Sequence, residues 1–423
     1  MLTVTAQKAR QAFKQLARCS TSQVNLGLLT IAEDLWEKRR EILAANQEDV
    51  VQAQQNGLKS SLVDRLALNE GKLRIILADL RGVAALPDPV GEVFDQRTLP
   101  NGLRIHKLRI PLGVLGVIYE SRPNVTLDVT GLALKTHNAA ILRGGSETLN
   151  TNRILVNLVR SALLQSGLPG DAVQLIDNPD RALVLELLKM DKEVDLIIPR
   201  GSNALQQFCR DNSRIPVIYG GIGICHLFVD ASADLSRAVD VLRNAKIQAP
   251  SVCNALDVAL VHKDIATEFI PNLVSALAAD GVSFRFDSEA WRLCPPENLP
   301  AQQAIFIQPA GTGDFDTEWL SLTLSVKVVS SLDEAIDHIE THSTHHSDGI
   351  LTSQAEHARQ FLAQVDSAAV YANASTRFTD GGQLGLGTEV AISTQRLHAR
   401  GPMGLQELTT YKWVVEGDYH TRP

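Results

Sequence analysis

Residues 111–126, PLGVLGVIYESRPNVT, decide the class of fold. A short apolar run, Val114–Tyr119, meets a polar corner from Glu120 to Asn124, and a helical run follows. A run that is apolar throughout, rather than alternating, marks a strand covered on both faces, which is the habit of parallel sheets. Working outward, short apolar runs recur at 139–142, 173–176, 196–198 and 217–219, with helical segments between them. A second series follows Cys225: a run at 227–230, a helix from about Asp234, a run at 257–261, and another helix from about Ile265. Two α/β domains with parallel-sheet cores are expected.

The flanks read differently. Residues 1–90 carry helical spacing, with Leu28, Leu29, Ile31, Ala32 and Leu35 on one face. Thr21 or Ser22 is the expected cap of that helix, and Pro87 and Pro89 stop the last one. Asn101-Gly102, between two stretches able to extend, predicts a β-hairpin. The tail TYKWVVEGDY reads as an edge strand. Ribbon and tail together are candidates for extending a sheet between subunits.

Composition narrows the function. The chain has 423 residues, 44% hydrophobic and 21% charged, with a net charge of −8. That balance argues against a general nucleic-acid binder, which needs clustered positive charge. The N-terminal stretch has no apolar core of secretory type, and no run approaches the roughly 18 apolar residues of a membrane helix. Cys19, Cys209, Cys225, Cys253 and Cys294 form no CxxC pair and no metal-like cluster. Reduced thiols in the cytosol, with no metal, are expected.

Four features carry chemistry. Cys253, in IQAPSVCNALD, lies in a polar connection between a helix and a strand, with Asn254 as a neighbouring donor; a thiolate there is a nucleophile for acyl transfer. Cys19 and Cys209 lie in helical runs and Cys225 begins a strand, so these read as buried packing residues. Asn124 follows a strand, where an amide can donate to a developing oxyanion, although an asparagine there also reads as a helix cap. In AAILRGGSET a strand ends at Arg143-Gly144-Gly145 and a helix opens at Ser146, a setting for an anion; IPRGSNAL, with Gly201 and Ser202, is similar. No GxGxxG fingerprint is present. Finally, the polar stretch 373–390, NASTRFTDGGQLGLGTEV, and the STQRLHARGPMG after it concentrate Arg377, Arg396, His398 and Arg400 in an acidic chain.

These blocks, with NPDRALV, GGIGICH, HSDGILT and LHARGPMGL, run through the whole chain and resemble the glutamate-5-semialdehyde dehydrogenases, the γ-glutamyl phosphate reductases of proline biosynthesis. That family is a branch of the aldehyde dehydrogenase superfamily. The resemblance implies two Rossmann-like α/β domains with parallel-sheet cores and a β-hairpin oligomerisation arm. The implied nucleotide-binding domain spans 1–97 and 111–225, the catalytic domain 226–400, and the arm 98–110 and 401–423. It implies Cys253 as nucleophile, with Asn124 and the Cys253 N–H as oxyanion donors. It places Arg143, Gly144, Gly145 and Ser146 at the adenosine ribose, Gly201 and Ser202 near the pyrophosphate, and Glu318 at the nicotinamide ribose. Relatives preferring NAD often carry an acid where Ser146 falls, so NADPH is the expected cofactor. Asn373, Ser375, Arg377 and His398 are the expected substrate contacts.

Hydrolytic relatives carry a glutamate before the glycine pair Gly220-Gly221, where this chain has Tyr219, which points to a thioester resolved by phosphate rather than water. Many bacterial members have a polar residue and an arginine where this chain has Ile247 and Ala249, and glycine in place of His137. The Asn101-Gly102 hairpin and the TYKWVV tail point to a sheet-extended homo-oligomer, a dimer or dimer of dimers, and the resemblance implies glutamate 5-kinase as the enzyme upstream and a candidate partner. Two other readings stand beside this one: a hydrolytic aldehyde dehydrogenase, and a catalytically dead scaffold.

Overall fold

The computed structural model describes residues 2–422, and the chain divides into two compact units. The first contains residues up to 220, 385–392 and 397 onward; the second contains 221–384 and 393–396.

The first unit opens with helices. Helix Thr21–Glu37 is capped by Ser20, whose side chain accepts from Gln23 N–H while the Gln23 side chain accepts from Ser20 N–H. The cap is therefore one residue before the expected Thr21 and two before Ser22, because the reciprocal pair needs a partner at the third helical position. Val24, Leu28, Ile31 and Leu35 are buried in one stripe of this helix. Each such side chain contributes about 1.5–3 kcal/mol of burial. Helix Glu70–Ala85 ends just before Pro87, as expected.

The sheet of this unit has four strands in the order Val173–Leu175, Ala139–Arg143, Val114–Tyr119, Leu196–Arg200, all parallel. Every residue of Val114–Tyr119 is buried, as a doubly covered strand requires. The expected strand at 217–219 is only a single bridge, Val217 to Ile197. Pro216 precedes it and brings no N–H, so the ladder stops at the Ile197 and Ile218 N–H bonds.

The hairpin is present: Val93–Thr98 pairs antiparallel with Arg104–Pro111, and Gly102 supplies the positive φ (91°) at the turn. The tail strand Thr409–Glu416 adds to the other side of Arg104–Pro111, giving a three-stranded ribbon with the tail at its edge. Tyr411, Trp413 and Val415 alternate onto one exposed face. Lys107 Nζ sits 4.5 Å from the Tyr411 ring centre and 5.1 Å from that of Trp413.

The second unit is built on a seven-stranded sheet, ordered Ile307–Pro309, Ser283–Phe286, Thr323–Val329, Leu256–His262, Cys225–Val229, Ser347–Leu351, Ala369–Ala372, with every pair parallel. Helices Leu235–Ile247 and Lys263–Ala278 pack on one face, and Leu332–His342 and Ala355–Gln364 on the other. Buried Asp348 accepts from His226 N–H at 2.8 Å, Ser343 at 2.6 Å and Ser367 at 2.5 Å, and faces His226 Nδ1 at 3.1 Å. Together these contacts hold its pKa below the usual carboxylate value despite burial. No helix among the described residues is long and apolar enough to cross a membrane.

Candidate active site

Helix Leu235–Ile247 starts at the Asp234 cap and ends three residues before Pro250. A tight turn then carries Cys253 before strand Leu256–His262 begins. Cys253 is half-buried. Its carbonyl accepts from Cys225 Sγ at 3.2 Å. Gly223 presses on the same carbonyl: a Cβ there would lie 1.7 Å from Cys253 O, so only glycine fits. Gly223 N–H in turn donates to Glu318 Oε1 at 2.9 Å, and burial raises the Glu318 pKa. Nucleophile candidate, glycine and glutamate thus form one connected group at the amino ends of their strands.

The Asn254 side chain also serves the fold. It is buried, its Nδ2 donates to Thr379 O at 2.9 Å, and its own carbonyl accepts from Thr376 Oγ1 at 2.7 Å. It ties the cysteine turn to the loop 373–383. None of the five cysteines forms a disulfide. Burial raises the pKa of Cys19, Cys209, Cys225 and Cys294, and pushes Cys209 to about 12. These four are poor thiolates. Cys19 follows helix Leu2–Leu16 rather than lying in it. Lys246 is wholly buried, its ammonium donating to Leu256 O at 2.7 Å, seven residues before Cys253.

The expected substrate contacts separate into kinds. Asn373 is fixed structurally, its side chain bonded to Thr352 N–H at 2.8 Å and Thr352 O at 2.9 Å. Ser375 is buried and caps the short turn Thr376–Phe378. Arg377 lines a polar pocket of about 270 Å³ with Asn244, Gln248, Phe378, Asp380 and Gln383. Its Nε donates to Gln248 Oε1 at 3.0 Å. His398 is exposed and belongs to the first unit.

In the first unit, the remaining candidates collect at the carboxyl ends of three adjacent parallel strands, where chain order reverses across the sheet. Asn124 sits in the first turn of helix Pro123–Lys135, and its Nδ2 donates to Asp128 Oδ2 at 2.9 Å. Burial pushes the Asp128 pKa up to about 6; the Asn124 bond and Arg200 oppose that, and Asp79 and Glu389 add to it. The four-residue offset of Asp128 from Asn124 on one helix is the signal in the sequence that pairs them.

Arg143 donates to Gly144 O at 3.0 Å and Pro179 O at 2.8 Å, while its Nε is buried with no partner. A Cβ at Gly144 or Gly145 would meet Asn152 Nδ2 at 2.3 Å or Glu147 Oε1 at 2.2 Å, so those side chains would have to shift. Ser146 is exposed. Glu147 is turned onto Ser121, accepting its N–H at 2.7 Å and its O–H at 2.6 Å. Ser202 caps helix Asn203–Asn212, and its N–H donates to Glu120 Oε2 at 2.8 Å; a Cβ at Gly201 would meet the same oxygen. An orphaned guanidinium nitrogen and a helix N-terminus already drawing an anion, at the carboxyl ends of adjacent parallel strands, fit a dinucleotide. Arg143, Ser146, Gly201 and Ser202 are the residues that would hold it. Among the described residues no group of His, Cys, Asp or Glu is arranged to hold a metal.

Residues 3–290 match the model of the aldehyde dehydrogenase family. A γ-glutamyl phosphate reductase of Shewanella piezotolerans is 54% identical over 421 residues, covering 100% of this chain and 98% of that protein. One from Roseiflexus castenholzii is 53% identical, covering 98% of each. The crystal structure of γ-glutamyl phosphate reductase from Thermotoga maritima superposes with a TM-score of 0.96 at 48% identity, covering all of both chains.

Proposed function

The chain belongs to the aldehyde dehydrogenase family, in its γ-glutamyl phosphate reductase branch, and we propose that it reduces L-glutamyl 5-phosphate to L-glutamate 5-semialdehyde with NADPH in proline biosynthesis. The observation that carries this reading is the cysteine turn: Gly223 and Cys225 hold the Cys253 carbonyl, and the other thiols are suppressed by burial. The Cys253 thiolate attacks C5, the bond to phosphate breaks, and a thioester forms. The Cys253 N–H and Asn124 take the role of oxyanion donors. Bound nicotinamide supplies the hydride. The thiohemiacetal then collapses, and the thiolate leaves with release of the aldehyde.

The family uses nicotinamide cofactors. The preference for NADPH rests on Arg143, on the absence of an acid at Ser146, and on Glu147 being spent on Ser121. The first unit is assigned to the nucleotide, the second to Cys253, and the ribbon to assembly. Its edge strand Thr409–Glu416, with Tyr411, Trp413 and Val415 exposed, suits sheet extension to a dimer or dimer of dimers. Glutamate 5-kinase is the partner that would deliver the labile acyl phosphate in the cytoplasm.

The test is NADP⁺ reduction by purified protein given glutamate semialdehyde, with and without inorganic phosphate. Turnover that requires phosphate is expected. Equal turnover without it would mean that water resolves the thioester, and the hydrolytic reading would replace this one.

A further inference from the structure

The polar pocket beside the cysteine turn holds both signs of charge. One wall is the end of helix Leu235–Ile247, with Asn244 and Gln248; the other is loop 377–383, with Arg377, Asp380 and Gln383. Both walls are tied to the nucleophile's neighbourhood. Gln248 lies five residues before Cys253, and Thr376, beside Arg377, donates to the Asn254 carbonyl at 2.7 Å. The Arg377 guanidinium plane is set by its bond to Gln248 at 3.0 Å. The Asp380 Oδ1 accepts Gln383 N–H at 3.1 Å, which fixes the carboxylate. Burial lowers the Arg377 pKa, and the charges of Asp380, Cys253 and Cys225 work against that, so cation, acid and thiols share one field.

A pocket with one cation, one anion and three amides suits a zwitterion better than a simple anion. We propose that this pocket is the seat of the substrate's α-amino-acid group, with Arg377 receiving the carboxylate and Asp380 the ammonium. The assignment rests on the reaction proposed above and deepens it, since it names what distinguishes a glutamyl substrate from other acyl groups.

The chemistry gives the acid a second role. In a glutamyl thioester, a neutral α-amine can attack C5, forming the C–N bond of 5-oxoproline, breaking the C–S bond, restoring the thiolate and releasing a proton. Asp380 keeps the nitrogen protonated and turned away from C5. The site thereby protects its own intermediate.

The experiment compares glutamate 5-semialdehyde with 5-oxopentanoate, the same aldehyde without the α-amine, both with NADP⁺ and phosphate. The quantity read is the ratio of kcat/KM values in the wild type, Asp380→Asn and Asp380→Glu. Cyclisation of the amino aldehyde scales every protein alike and cancels between them. Asp380→Asn keeps the acceptor for Gln383 N–H, so the loop is preserved. Its ratio is expected to fall at least tenfold, mostly through KM, with partial recovery in Asp380→Glu. The yield of 5-oxoproline without phosphate should rise in Asp380→Asn. An unchanged ratio in Asp380→Asn, with a wild type that still requires phosphate, would overturn the ammonium seat and leave the reaction standing. No phosphate-dependent turnover of either aldehyde by the wild type would overturn the reaction, and this assignment with it.

Discussion

The two parallel sheets of this chain present their chemistry at opposite ends. In the first unit, Glu120 and Ser202 follow the carboxyl ends of Val114–Tyr119 and Leu196–Arg200, and Arg143 closes Ala139–Arg143 between them and the sheet edge. There the candidate residues lie where the rule for open α/β sheets puts a ligand, at the point where strand order reverses. In the second unit, Gly223, Cys253 and Glu318 precede the amino ends of Cys225–Val229, Leu256–His262 and Thr323–Val329. The same architecture serves there as a rigid frame for turns. Strand-end position is informative where backbone N–H groups and a helix N-terminus do the binding. It says little where a single side chain must be aimed.

Each half of that comparison can be broken separately. The largest effect is expected from Cys253→Ala, which should abolish reduction while nicotinamide binding, followed by fluorescence titration, is largely retained. Loss of binding would mean that Cys253 itself, and not only Glu318 in the second unit, helps to hold the nucleotide. Next, Asn124→Ala should lower kcat by about 10²–10³, the usual cost of a lost oxyanion donor. Full activity in that variant would remove the first unit from the chemistry. Gly223→Ala forces the Cys253 carbonyl to move and should lower kcat by about 10², as displacements of roughly 1 Å do. A variant that keeps wild-type kcat would show that the turn is not held by that contact.

The smallest expected effect is a pH limb. Asp128 is an anionic acceptor for Asn124 only above its raised pKa of about 6. As pH falls through that value the carboxyl gains a proton, the Asn124 amide loses its fixed orientation, and kcat should decline. Asp128→Asn should flatten that limb. A limb that persists unchanged belongs to another group.

Much of this arrangement was legible in the chain. Val114–Tyr119 was readable to its end residues because both faces are covered and no polar residue interrupts it. The Asn101-Gly102 hairpin was readable because the turn needs a positive φ that Gly102 supplies. Ser347–Leu351 was not, because a strand beginning Ser-Asp does not look buried until His226, Ser343 and Ser367 are seen to satisfy Asp348. The site divides in the same way. Cys253 stood out by residue type, and Arg377 by charge in an acidic chain. Asn373 has the right chemistry for a substrate contact, but its hydrogen bonds to Thr352 close over long range, where no local pattern signals them. The bond from the Asn254 amide to Thr379 O spans the same kind of distance in sequence and is visible only in the fold.

In the proposed reaction a thioester on Cys253 waits for phosphate. Its most direct test is a rapid-mixing experiment with glutamate 5-semialdehyde and NADP⁺ in phosphate-free buffer, quenched in acid for peptide mass mapping. A burst of one reduced nicotinamide per subunit, a glutamyl adduct on the Cys253 peptide, and renewed turnover when phosphate is added are predicted. Steady turnover without phosphate, or a burst with the adduct on another residue, would contradict the account.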